Sequence, residues 1–231
     1  MNQLKSSKFV RVNLRLKSVS LLAVSLGLLS LATPALAHHA MGGKMPSNSI
    51  EGFLSGIAHP LIGPDHFAFI VSVGLLAATR KQGIVIPVAF VLAAMLGTGM
   101  HLAKLNVPGI ELFVSGSIVL FGVLLAMKNT LNTVTVAGLS ILAGLFHGYA
   151  YGEAIFGAKM TPLLSYLAGF TIIQLGVSLA AFWIGQRVVL NRPKALRSSA
   201  PLSSAGLVIC GVGLAFFITQ VVGIIFPLPS A

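Results

Sequence analysis

The stretch "GIAHPLIGPDH", residues 56–66, sets His59, Asp65 and His66 beside Pro60, Gly63 and Pro64, in surroundings otherwise written in apolar residues. An ionisable group near the centre of a bilayer costs roughly 2.5 to 3.5 kcal/mol on insertion scales and is usually retained for a function. Proline removes a helix hydrogen bond, and glycine makes a chain easy to bend. The motif HPxxGxDH therefore reads as a deliberate break in a membrane helix, with three metal-binding or proton-carrying side chains at the break.

The rest of the chain supports the membrane setting. Of its 231 residues 56% are hydrophobic and only 8% charged, with a mean hydropathy of +0.96, whereas ordinary soluble domains carry about 25% charged residues. The formal charge of +11 does not describe a nucleic-acid binder. Five of the fifteen basic residues lie in the first seventeen positions, and most of the others fall in short gaps between apolar runs instead of forming a basic stripe. The single Cys210, inside an apolar run, can make no internal disulfide and reads as core packing.

Residues 1–37 carry a basic stretch, an apolar run over 18–32 and a small-x-small ending at Ala35-Leu36-Ala37, the pattern of a secretory signal peptide. Cleavage after Ala37 is expected. A periplasmic tail, 38–51, would follow, then a transmembrane domain over 52–226 and a short C-terminal tail, 227–231. A spanning helix takes about 20 mainly apolar residues, and six stretches qualify: 52–78, 84–103, 110–127, 133–152, 162–186 and 203–226. The expected fold is an all-α integral membrane protein of six transmembrane helices behind a cleavable signal peptide, the first helix broken at its motif.

Charge bias orients it. With the mature N-terminus outside, the inner loops hold Arg80, Lys81, Lys128, Arg187, Arg192, Lys194 and Arg197, against Lys44, Lys104 and Lys159 outside. Seven against three obeys the positive-inside rule, so both termini are expected outside a bacterial cytoplasmic membrane. All four acids and all six histidines then fall in the outer half or the centre. His59, Asp65, His66 and His147 are the candidate metal-binding residues, while His38, His39, Glu51, His101, Glu111 and Glu153 would mark the outer route of metal access. Pro60, Gly63 and Pro64 are the expected helix break. Gly144, Gly148 and Gly152 form a small-residue ridge, expected to pack the fourth span on the first and so bring His147 to Asp65 and His66.

Imidazole with carboxylate suits a borderline divalent metal, and the lack of a cysteine cage speaks against copper(I) or structural zinc. "HPLIGPDH" (59–66) together with "FHGYAYGE" (146–153) resembles the hydrogenase/urease accessory membrane proteins of the HupE/UreJ family over essentially the whole mature chain. That resemblance implies a bacterial permease supplying nickel, or cobalt in some members, to nickel enzymes such as [NiFe] hydrogenase or urease. A looser likeness to larger nickel/cobalt permeases breaks on spacing, because five residues separate His59 from Asp65 here where four are usual.

The expected activity is secondary transport, not enzymatic: no GxxxxGK[ST] phosphate loop occurs. No cofactor is implied, and the metal ion, Ni(2+) or Co(2+), is the cargo. The expected partners are the lipid bilayer and, functionally, hydrogenase or urease maturation proteins; homo-oligomerisation stays open. Two alternatives also stay open. One is an intramembrane hydrolase in which the four candidate residues hold a water-activating metal; the other is an accessory that hands metal on without transporting it.

Overall fold

A computed structural model describes residues 44–127, 131–190 and 200–226. The expected signal peptide, His38 and His39, the basic residues Lys128, Arg192, Lys194 and Arg197, and the C-terminal tail lie outside the described residues. Among those described, seven α-helices and no strands occur: α1 (Ser49–Ile62), α2 (Pro64–Ala78), α3 (Val85–Leu102), α4 (Ile110–Ala126), α5 (Thr133–Glu153), α6 (Met160–Leu190) and α7 (Ala200–Ile225).

Local chemistry explains the boundaries. Asn48 accepts from Glu51 N and Asn132 from Thr135 N, capping α1 and α5. Gly109, at φ 68°, takes the left-handed turn that leads the "NVPG" loop into α4. Four helices (α3, α5, α6 and α7) are long and apolar enough to cross a membrane. The fifth such unit is the pair α1 and α2, bent by 79° at Gly63, and α4 is apolar but shorter, at 17 residues. Each of the six apolar stretches thus corresponds to one helical unit, the first of them strongly bent.

The break differs in detail from expectation. Pro60 lies within α1, which runs on to Ile62. The chain turns only at Gly63, where Pro64 opens α2. One proline in a short helix removes a single amide, whereas a proline after Gly63 also forces the preceding residue into the extended region.

Three pairings build the bundle: α3 on α5, α4 on α7, and α6 on both α1 and α2. The glycine ridge of α5 faces α3, not the first span as expected from sequence. A Cβ on Gly148 would run into the Ala94 backbone, one on Gly144 would stand 2.7 Å from Phe90 O, and one on Gly152 would meet His101. The ridge of α5 and the span it faces therefore approach at backbone distance, and Thr98 Oγ1 ties them by donating to Gly148 O at 2.8 Å. α2 lies at the centre. Twelve of its fifteen residues are buried, and it touches every other helix. Its Phe69 is fully buried, as are Phe90, Phe121, Tyr151, Tyr166 and Phe170 on the other helices. Outward faces carry exposed Leu92, Leu96, Leu164, Trp183 and Ile184, the apolar exterior that a lipid solvent permits.

Candidate metal centre

The turn at Gly63 builds the site. Its N–H donates to His59 O at 3.2 Å, closing α1, and its carbonyl accepts from Phe67 N at 2.9 Å, opening α2. With φ −72° and ψ 105° the backbone there would suit any residue; glycine is present for space. A Cβ would stand 3.0 Å from His66 Cδ2 and 3.1 Å from Asp65 Oδ1, so both side chains lie back over the break. Pro64 at the first helical position loses no hydrogen bond, because an amide there would have no intrahelical partner.

The four candidate metal-binding residues are all buried, His59 and His66 at 2% exposure, Asp65 at 5% and His147 at 0%. His147 reaches the break from α5. Its Nδ1 lies 3.0 Å from His66 Nδ1, its Nε2 lies 2.9 Å from Ser117 Oγ of α4, and Phe69 stacks on its ring at 4.1 Å. His147 is thus brought to His66 as expected, although α5 reaches it while packed on α3. His59 stands on the other side of His66, ring centroids 5.7 Å apart.

Two tyrosines complete the cluster. Tyr151, one turn beyond His147, sets its ring 5.1 Å from His59 and 4.4 Å from His66. Tyr166 of α6 donates to Tyr151 O at 3.1 Å, with His59 Nδ1 at 3.4 Å from the same hydroxyl. Sequence reasoning missed Ser117, Tyr151 and Tyr166. Tyr151 carried a usable signal, its i+4 spacing from His147; Ser117 and Tyr166 carried none, since only the packing of α4 and α6 delivers them.

Of the residues expected to mark outer access, the four that are described, Glu51, His101, Glu111 and Glu153, occupy helix ends. Glu51 serves its own helix, accepting from Ser47 N, Ser47 Oγ and Asn48 Nδ2, each at 2.8 Å, in a capping box. It lies eight residues before His59, about 12 Å along α1. His101 packs edge-on to Tyr149 and Phe156. Glu111 is in the first turn of α4 and half-buried, and Glu153 is exposed at the end of α5. Among the described residues no group of three or more His, Cys, Asp or Glu side chains stands close enough together to hold a metal ion. Buried imidazoles converge from two spans, but they are held by hydrogen bonds and ring contacts.

Apolar-surfaced helices around a buried histidine cluster at a broken helix define a multi-pass membrane protein with an internal polar site. The family model described as HupE / UreJ protein matches residues 26–216, so the chain belongs to the HupE/UreJ family. It is 30% identical over 166 residues to Protein HupE of Rhizobium leguminosarum bv. viciae, covering 69% of this chain and 83% of that one. No solved structure matches it.

Proposed function

We propose that the protein is a secondary permease for nickel, with cobalt as a second cargo, and that the ion passes through the cluster of His59, Asp65, His66 and His147. The observation that carries this reading is the convergence of His66 and His147, from two different spans, on a buried 3.0 Å contact beside the break at Gly63. Imidazole nitrogens are ligands for nickel and cobalt, and the Asp65 carboxylate supplies negative charge to a dication held in low dielectric. Discontinuous helices at the membrane midplane are how many transporters present ligands to an ion.

In the proposed topology, six spans with both termini outside the cytoplasmic membrane, the route runs from the outer ends of α3, α4 and α5, past His101, Glu111 and Glu153, to the cluster. A dication entering a negative-inside cell gains roughly 2.3 kcal/mol per charge per 100 mV, so uptake needs no nucleotide hydrolysis. The ion would serve a nickel enzyme of the hydrogenase or urease kind.

The test is radionickel uptake in cells lacking other nickel importers. Wild type should exceed the vector control, while His66→Ala and Asp65→Asn, expressed at equal level, should fall to it. Wild-type uptake equal to vector control overturns the proposal.

A further inference from the structure

α6 runs past the break in the first span without interruption. Before the break it packs on α1, where a Cβ on Gly56 would run into Tyr166 O and stand 2.9 Å from Phe170 N. Beyond the break it packs on α2, where a Cβ on Gly74 would run into Ser178 O. Gln174 stands between these two contacts, near the middle of the 31-residue helix. It is fully buried, as are Tyr166, Phe170 and Ser178 at the same four-residue spacing.

Two oxygens at this level lack partners. The Gln174 amide turns its nitrogen to Phe170 O at 3.4 Å, so Oε1 is the other end of the amide. That oxygen and Thr171 Oγ1 are both buried, and neither has a hydrogen-bond partner among the described residues. Thr171 and Gln174 are three residues apart, neighbours on the helix surface, and the amide reaches back to the residue just before Thr171. A third group comes from α1. Pro60 lies inside that helix and has no N–H, so Gly56 O is denied the amide four residues on that would normally satisfy it. α1 and α6 run in the same direction, Gly52 lying on Pro162 and Gly56 on Tyr166 and Phe170. Helix carbonyls point along the axis toward the C-terminus, which directs Gly56 O from its place beside Phe170 toward the level of Gln174. Buried polar groups in a membrane protein need partners from within, because the hydrocarbon offers none.

We infer that Thr171 Oγ1, Gln174 Oε1 and Gly56 O form a binding site for one water molecule where α6 passes the bend. The hydrogens balance. Gln174 Oε1 and Gly56 O are acceptors only, so the water gives one hydrogen to each, and its own oxygen accepts the hydroxyl hydrogen of Thr171. Three polar partners are what a buried water typically has. The site stands whether or not the histidine cluster carries an ion. It also gives a role to Pro60, which does not make the bend: by withholding its amide it leaves a carbonyl of α1 to the water, and the water ties the turn bearing His59 to α6.

The sign of two substitutions tests it, read by chemical unfolding of the purified protein in detergent. Thr171→Val and Gln174→Leu put apolar side chains of similar size in place of the two oxygens. With a water bound, each breaks the bridge and should shift the equilibrium toward the unfolded state by about three- to tenfold. The double variant should add little to either single one, since one loss already releases the water. With no water bound, each substitution removes an uncompensated buried oxygen and stability should rise. Unchanged or raised stability in Thr171→Val, or full additivity in the double variant, overturns the inference. A crystal structure of the metal-free protein reads the site directly and decides the matter even if Gln174→Leu fails to fold. It should show a water about 2.5 to 3.0 Å from both Thr171 Oγ1 and Gln174 Oε1. Thr171 Oγ1 turned instead onto a carbonyl of its own helix, with no water between the two side chains, overturns the inference.

Discussion

Gly63 illustrates how narrowly the site is drawn at single residues. Its backbone angles suit alanine, but a Cβ would press on His66 Cδ2 at 3.0 Å and Asp65 Oδ1 at 3.1 Å, contacts that are relieved only if those side chains move by a few tenths of an ångström. Gly63→Ala is expected to fold, with a thermal midpoint in detergent close to wild type, and to lose nickel uptake by about tenfold or more, because small displacements of positioned groups are expensive. Uptake at the wild-type level would show that the back-folded placement of Asp65 and His66 does not matter. That Asp65, His66 and His147 stand out is legible in sequence because ionisable groups are rare in apolar runs. The contacts of Ser117 and Tyr166 are not, since serine and tyrosine in an apolar helix look alike whether they face lipid, backbone or an imidazole.

At the scale of elements, the bend and the ridge carry separate predictions. Spin labels placed near the far ends of α1 and α2 report the 79° bend as a distance. Pro60→Ala should leave that distance unchanged, because Pro60 lies inside α1, whereas replacing Gly63 and Pro64 together with alanine should lengthen it toward that of a continuous helix. An equal change in both variants would move the origin of the bend to Pro60. On α5, Gly148→Val should destabilise the fold by about 1 to 3 kcal/mol, the range for overpacking, since a side chain there meets the Ala94 backbone. Chemical unfolding in detergent measures it. That α5 carries a packing ridge can be read from glycines every four residues; that the ridge faces α3 cannot, because close approach requires only that some backbone be opposite.

For the whole molecule, the arrangement of charge makes the remaining prediction. Arg80 Nη1 donates to Leu131 O at 2.6 Å and Thr133 Oγ1 donates to Lys81 O at 2.9 Å, so the connection after α2 meets the start of α5 at one end of the bundle. Tyr149 OH donates to Leu105 O at 2.6 Å, tying the end of α5 to the connection after α3 at the other. In a Cys210→Ser background, a membrane-impermeant thiol reagent applied to intact spheroplasts should label Lys104→Cys and spare Lys81→Cys. The opposite pattern would invert the proposed topology and put the route of ion access on the inner side.

Composition and pattern alone determined that this chain is a bundle of apolar helices interrupted at HPxxGxDH, because burial in lipid demands long apolar runs and makes every ionisable exception conspicuous. They also singled out His66 and His147, which meet beside the break, and His59 next to them. Tertiary structure decided the rest: that the chain turns at Gly63 and not at Pro60, that α5 leans on α3 while still delivering His147 to His66, and that Ser117 and Tyr166 come within hydrogen-bond distance of His147 and His59. Those features depend on which helix faces which, and helix faces in a membrane protein are apolar on both the lipid and the protein side. Hydropathy therefore cannot tell them apart, and only close packing and the directions of hydrogen bonds do.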